Sequence, residues 1–542
     1  MKSIIRILLA TACAAGWAAL ASNTHIDAAD GTAACENLKS LSLPETTITA
    51  ATPVAAGAFK PPAGAGLGGV PGALPPFQSL PAFCRVEGVI APSSDSHIEF
   101  EVWLPAASWN GKYHGEGNGG FAGDIGYGAM ALALAAGYAT SSTDTGHKAG
   151  GVDARWALGH LEKITDYGYR AIHETADRSK AIIRAFYGEN PKHSYFASCS
   201  NGGRQALMEA QRYPADYDGI VAGAPAAHFT RVIASFAWDL LATEVDPASY
   251  IPARKYAAVE AAAVAACDAR DGVTDGVIDD PTRCAFDPAV LMCQGEDQDT
   301  CLTERQIAAL RKVYGGPRSS RGEQFYPGFL PGGESGQGGW PLWVSGMRPG
   351  SSLQYMFSTQ GNAYLIFQNP AYDYRAFDMD RDVKIADDTR GGVLNAVDPD
   401  LKAFKARGGK LVLFHGWSDA ALAPMATVNY YQAVVSKMGA RPAGDFMRLY
   451  MVPGMQHCGG GPGTDSFGWL PSADADPQRS LSAALEHWVE HGLGPQAIIA
   501  TKTKGRGSEI VRSRPLCPYP LVASYRGSGS TDDAANFVCR TP

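Results

Sequence analysis

One stretch constrains the fold more than any other. Ser194-Tyr195-Phe196-Ala197 is a short apolar run with strand character, and Ser198-Cys199-Ser200-Asn201-Gly202-Gly203 supplies small and turn-forming residues. A helical pattern then runs from Arg204 to about Tyr213, and a second strand-like run, Gly219-Ile220-Val221-Ala222, follows it. Strand, helix and strand in that order predict a parallel sheet with right-handed crossovers. The tight strand-to-helix turn is the layout of a nucleophile elbow. That turn needs small residues two before and two after the exposed side chain, here Ser198 and Gly202 around Ser200.

Other segments extend the pattern. Ile98-Glu99-Phe100-Glu101-Val102-Trp103-Leu104 alternates with period two, as a half-buried strand does. Tyr169 to Tyr187 has helical apolar spacing without an internal Gly or Pro. Lys410–Phe414 and Arg448–Val452 read as apolar strands, and a helix is predicted from about Ser480 to Glu490. Residues 228–395 break this rhythm with long loops, a Gly-rich stretch and many aromatics from Trp238 to Phe377, most expected in the core of the inserted segment and some lining a pocket, with no signal for which. At 542 residues the chain is too long for one ordinary core. The simplest reading is an α/β domain over 81–227 and 396–542, interrupted by an inserted lid over 228–395. An Ala-, Pro- and Gly-rich arm with little regular structure, 22–80, precedes it.

Hydrophobic residues are 45% and charged residues 18%, the balance of a folded chain rather than a disordered one. A net charge of -8 gives nucleic acid no electrostatic footing. Residues 1–21 open with Lys2 and Arg6, continue through an apolar stretch and end at Ala19-Leu20-Ala21, the pattern of a cleaved signal peptide. The apolar part is shorter than the ~20 residues a membrane span needs, and no later run is long enough. The expected location is therefore secreted or periplasmic.

Of 11 cysteines, Cys13 falls in the signal, and the even remainder in an exported chain suggests five disulfides. Sequence alone does not settle connectivity. Nearest neighbours would join Cys35 to Cys84, Cys267 to Cys284, Cys293 to Cys301 and Cys517 to Cys539, leaving Cys199 and Cys458. A free Cys199 acting as nucleophile is the alternative, disfavoured by export.

A serine nucleophile requires a base and an orienting acid. Asp419 lies in the loop after the strand ending at Phe414, and His457 in the loop after the strand ending at Val452. The order Ser200, Asp419, His457 is that of α/β hydrolases. A lone loop aspartate is more often a turn cap, but three roles arriving in order at strand ends is a stronger signal. Helix N–H groups behind Ser200 are suited to a developing oxyanion. Asp144-Thr145-Gly146-His147 and His173 are read as structural.

A second cluster runs from Cys267-Asp268 through Asp271, Asp275 and Asp279 with interleaved glycines. Such carboxylates suit a hard cation, calcium, against the alternative of a solvated acidic turn. It is not an EF-hand, because position twelve from Asp271 is Thr282.

The chain resembles the tannase and feruloyl esterase family of secreted ester hydrolases. The resemblance rests on Cys199-Ser200-Asn201-Gly202-Gly203-Arg204, on His415-Gly416-Trp417-Ser418-Asp419, and on Pro453-Gly454-Met455-Gln456-His457-Cys458-Gly459-Gly460-Gly461-Pro462-Gly463, and it extends from about Cys35 to Cys539. It implies an α/β-hydrolase fold with a large inserted lid, and a Cys199–Cys458 bond beside the site. Ser200 would be the nucleophile, His457 the base and then the acid, and Asp419 its orienter. Gly117-Asn118-Gly119-Gly120-Phe121 looks like the family's oxyanion loop, which assigns the donors to the N–H groups of Gly120 and Asn201. The resemblance also places structural calcium in the lid, on the side chains of Asp268, Asp271 and Asp275 and the carbonyls of Val273 and Val277. The implied substrates are small esters of phenolic acids, with mono(2-hydroxyethyl) terephthalate as an alternative. A non-catalytic, calcium-stabilised binding protein on a hydrolase scaffold is the rival from another class. Oligomeric state is not readable from the sequence.

Overall fold

The computed structural model describes residues 28–62, 77–473, 475–505 and 507–542; the signal segment 1–21 lies outside them. Nine strands make one sheet: β1 (Thr46–Val54), β2 (Phe83–Ile90), β3 (Ile98–Pro105), β4 (Lys112–Glu116), β5 (Ala139–Thr143), β6 (His193–Cys199), β7 (Gly219–Gly223), β8 (Lys410–Gly416) and β9 (Met447–Val452). Their order across the sheet is β1-β2-β3-β5-β4-β6-β7-β8-β9. β1, β2, β3 and β5 pair antiparallel, and from β5 through β4 to β9 every pairing is parallel. Every residue of β7 is buried, and β6 and β8 are buried apart from their first residues, as expected of central parallel strands covered on both faces. β2 alternates buried and half-buried positions nearer the edge.

Strand order reverses around β4, which lies between β5 and β6, so a crevice opens outside the carboxyl ends of β4 and β6. The register sets Glu116, the last residue of β4, opposite Ala197 of β6.

The arm expected to lack regular structure carries the helix Ala28–Asn37 and the edge strand β1, paired with β2 from Thr46↔Ile90 to Val54↔Phe83. Its Ala, Thr and Pro content conceals the strand. An edge position tolerates Pro53 and buries only Ile48, so no period-two apolar signal is required. The Cys35–Cys84 disulfide ties the helix to β2.

Between β7 and β8 the chain forms an insertion containing the helices Phe229–Thr243, Tyr256–Cys267, Glu304–Gly315 and Leu353–Gln360. One apolar cluster there centres on Tyr256, Leu310, Phe329 and Trp340. Another joins Phe229, Ile233 and Leu365 to Ala421 and Leu422, residues of the loop after β8. The insertion is thereby packed against the segment that carries Asp419. Among the described residues, no helix is long and apolar enough to cross a membrane.

Candidate active site

β6 ends at Cys199 and a helix begins at Asn201, leaving Ser200 alone in the turn with φ 67° and ψ -125°. A left-handed φ is strained for a residue with a Cβ. The surroundings hold it there: Ser200 N–H donates to Gly223 O at 2.9 Å, while Ser200 O accepts from the N–H groups of Arg204 and Ala226, each at 3.1 Å. The helix Asn201–Arg212 starts three residues before the sequence pattern suggested, because its first turn is glycine-rich. Those glycines are required by close approach. A Cβ on Gly202 would lie 1.9 Å from Ser198 Oγ, and one on Gly203 would lie 2.2 Å from Gly223 O.

The loops after β8 and β9 bring the acid and base together. His457 Nδ1 lies 2.7 Å from Asp419 Oδ2, although the two are 38 residues apart in sequence. Asp419 Oδ1 accepts from the N–H groups of Ala421 at 2.7 Å and Leu422 at 2.9 Å. A second buried histidine shares the carboxylate: His415 Nε2 is 3.0 Å from Asp419 Oδ2, and its Nδ1 is 2.7 Å from Thr427 Oγ1. A carboxylate only accepts, so each histidine presents an N–H to it, which leaves His457 Nε2 free to take a proton. Burial would raise the Asp419 carboxyl, but His457 and His415 outweigh it and hold that carboxyl well below the usual carboxylate range.

Cys199 and Cys458 are bonded, with a Cα–Cα distance of 6.1 Å across a sequence separation of 259. The sulfur of Cys199 is therefore not a free nucleophile. The other four pairs are Cys35–Cys84, Cys267–Cys284, Cys293–Cys301 and Cys517–Cys539, matching the nearest-neighbour expectation.

The loop Gly117–Phe121 lies beside the elbow and is pinned at several points. Asn118 N–H donates to Gln205 Oε1 at 2.9 Å, and Asn118 Nδ2 donates to Thr143 O at 2.8 Å. Gly120 has φ 55°, and a Cβ there would meet Gly151 O at 2.2 Å, so only glycine fits. The Tyr167 hydroxyl is 3.0 Å from both Gly120 O and Asn201 Oδ1. Arg204, fully buried, donates to Asn201 Oδ1 at 2.8 Å, Gly168 O at 2.6 Å and Tyr167 O at 3.0 Å. Arg204 and Tyr167 thus tie the two candidate oxyanion residues, Gly120 and Asn201, to each other. His147 accepts no catalytic geometry. Its Nε2 bonds Phe121 O at 2.8 Å, its ring stacks on Trp156, and burial pushes it down to about 4.

A cavity of about 200 Å³ is lined by Ser200, His457, Gly120, Glu116, Trp343, Phe357, Trp469 and Leu470, with the Cys199–Cys458 bridge in its wall. A smaller apolar cavity adjoins it, sharing Ser200, Gly120, Trp343 and Phe357 and adding Phe229, Phe236 and Leu422. Of the insertion's aromatics, Trp343 and Phe357 reach both cavities, whereas Trp340, Phe329 and Tyr326 are buried in apolar clusters. Sequence reasoning missed Glu116, Tyr167, Trp469 and Leu470, and gave Arg204 and His415 no role of their own. Only Glu116 carried a local signal, as an acidic residue ending a strand just before a glycine-rich loop.

In the acidic loop, Asp268 Oδ2 accepts from Gly276 N–H at 2.9 Å, Asp271 Oδ1 from Val273 N–H at 2.8 Å, and Asp275 Oδ1 from Val277 N–H at 3.2 Å. Asp275 also pairs with Arg512, at 3.3 Å, and with Arg514, on a strand near the C-terminus that the sequence did not connect to this loop. Burial, with Asp268 and Asp275 nearby, pushes Asp271 up to about 6. Burial and the facing Asp271 push Asp279 up to about 8. Carboxylate oxygens are the hard donor type that calcium takes, and here each carboxylate also accepts from backbone N–H groups while Asp275 faces two guanidinium groups.

The family model described as tannase and feruloyl esterase matches residues 84–540. An uncharacterized esterase from Xanthomonas campestris is 41% identical, covering 99% of this chain and 95% of its own length. A mono(2-hydroxyethyl) terephthalate hydrolase from Piscinibacter sakaiensis is 35% identical over 86% of each chain. The crystal structure of feruloyl esterase B from Aspergillus oryzae superposes with TM-score 0.85 at 28% identity, covering 94% of this chain and 100% of that one.

Proposed function

We propose, from the premise that the chain belongs to the tannase and feruloyl esterase family and is a carboxylic ester hydrolase, that it cleaves esters of aromatic acids through a Ser200-His457-Asp419 triad. Ser200 Oγ attacks the ester carbonyl while His457 Nε2 takes its proton. The N–H groups of Gly120 and Asn201 stabilise the oxyanion, and Asp419 orients His457. His457 then protonates the departing alcohol, and water activated by the same nitrogen releases the acid from the acyl-enzyme. The observation that carries this reading is the meeting of a strained Ser200 in the elbow and an Asp419-bound His457 in one cavity.

The aromatic rim favours a flat acyl group: the Trp343 and Phe357 rings are parallel within 9°, with centroids 6.1 Å apart. Hydroxycinnamates and gallates suit it. A terephthalate half-ester is the second reading, favoured by the 35% identity to a mono(2-hydroxyethyl) terephthalate hydrolase. Five disulfides support export to an oxidising compartment. Calcium held by Asp268, Asp271, Asp275 and the Val273 and Val277 carbonyls would neutralise the acidic loop, a structural role.

The test is a panel of methyl ferulate, methyl gallate, chlorogenate and mono(2-hydroxyethyl) terephthalate against p-nitrophenyl acetate, with Ser200→Ala as control. Turnover of an aromatic ester that the variant abolishes is the expected result. Equal inertness of both proteins on every ester, with calcium still raising Tm, would replace this reading with the binding-scaffold one.

A further inference from the structure

Glu116 is 2% exposed at the end of β4 and lines the cavity that holds Ser200 and His457. One oxygen, Oε1, lies 2.7 Å from Nδ1 of the buried His114. The other, Oε2, is buried without a hydrogen-bond partner. A buried carboxylate oxygen left unpaired is unfavourable, and in a substrate cavity it is completed by a donor that the ligand brings.

The two cavities divide an ester between them. In acylation the bond from Ser200 Oγ to the carbonyl carbon forms, the bond from that carbon to the alkoxy oxygen breaks, and His457 passes its proton to the alkoxy oxygen. The leaving alcohol must therefore sit beside His457. His457 and Glu116 both line the larger cavity and neither lines the smaller one, whose walls beyond Ser200 and Asn201 are apolar. The smaller cavity suits the acyl group and the larger one the alcohol.

We propose, resting on the esterase reading above, that Glu116 is a specificity residue selecting esters whose alcohol carries a second hydroxyl, a diol or polyol, which donates to Glu116 Oε2. A simple alkyl alcohol occupies the same space and leaves that oxygen unpaired. Sites built to bond a hydroxyl discriminate strongly against analogues that lack it.

The test compares 2-hydroxyethyl ferulate with propyl ferulate, which share an acyl group and differ by hydroxyl for methyl. Wild-type kcat/KM, corrected by the two esters' alkaline hydrolysis rates, is expected to favour the hydroxyethyl ester at least about tenfold. Glu116→Leu should collapse that ratio to near one. Glu116→Gln, which keeps a polar atom there, should retain part of it. A corrected wild-type ratio within twofold of one overturns the proposal without recourse to any variant, and so does a ratio unchanged in a folded Glu116→Leu. Failure of the wild type on every aromatic ester of the panel sinks the esterase reading itself, whereas equal cleavage of the hydroxyethyl and propyl esters sinks only the role of Glu116.

Discussion

The disulfide between Cys199 and Cys458 joins the residue before Ser200 to the residue after His457, closing a sequence separation of 259. The elbow after β6 and the loop after β9 are thereby held by a covalent link as well as by sheet packing. Chain-entropy estimates for so long a loop reach about 5 kcal/mol, an upper figure for most measured bonds. Replacing both cysteines with alanine should lower Tm and reduce kcat/KM on an aromatic ester at least about tenfold. Unchanged kcat/KM in a destabilised double variant would show that the bond serves stability alone.

Asp419 is a second point of leverage. Its carboxyl is depressed in the fold, so the stability it contributes is present above its unfolded pKa of about 4 and is lost as pH falls through the lower folded value. Asp419→Asn should therefore flatten the acid side of the stability profile. The same change should cut kcat by about 10³- to 10⁴-fold, because an amide does not favour the His457 tautomer that acts as base. Kinetics and denaturation across pH 3–7 measure both effects.

Arg204 bridges Asn201 Oδ1 to the Gly168 and Tyr167 carbonyls from a fully buried position. Arg204→Met would leave Asn201 Oδ1 to the Tyr167 hydroxyl and take a donor from the Gly168 and Tyr167 carbonyls, at about 1–3 kcal/mol each, and should destabilise the protein by about 3–5 kcal/mol. Arg204→Lys should keep the charge yet fail to bridge, lowering kcat more than it raises KM. Urea titration and steady-state kinetics separate the two contributions.

Glu209 is 1% exposed with both carboxylate oxygens unpaired; burial, with Asp216 beside it, raises its carboxyl well above the usual range. The folded state retains a proton that the unfolded chain has released, so stability falls as pH rises from about 4.3 toward the folded value. Glu209→Gln should be more stable than wild type at pH 8 and should lose that advantage near pH 4. Melting curves at the two pH values decide it.

Chelation probes the acidic loop. With Asp271 pushed up to about 6 and Asp279 to about 8 by burial and neighbouring carboxylates, removing calcium should lower Tm more at pH 8, where these groups ionise, than at pH 5. Re-addition of calcium but not magnesium should restore it. Indifference of Tm to chelator at pH 8 would overturn the calcium site and leave the loop held by its backbone hydrogen bonds, the Cys267–Cys284 bond, Arg512 and Arg514.

What the sequence determined by itself is whatever a short window encodes. Apolar runs and helical periods announced β6, β7, β8 and β9, and the small residues around Ser200 announced the turn between β6 and its helix. Chain order placed Asp419 and His457 at strand ends, and the even cysteine count announced disulfides. β1 escaped because an edge strand needs neither an apolar run nor freedom from proline. Contacts between distant segments were settled only by the tertiary structure. Packing in three dimensions decided that His415 shares Asp419 with His457, that Arg204 and Tyr167 tie Asn201 to Gly120, and that Trp343 and Phe357 face the cavity while Trp340 is buried. The same is true of Glu116, whose free oxygen acquires meaning only when β4 and β6 lie side by side at the point where strand order reverses. Local pattern is a property of backbone period and side-chain type, whereas a site is assembled by burial, which brings together groups with no relation along the chain.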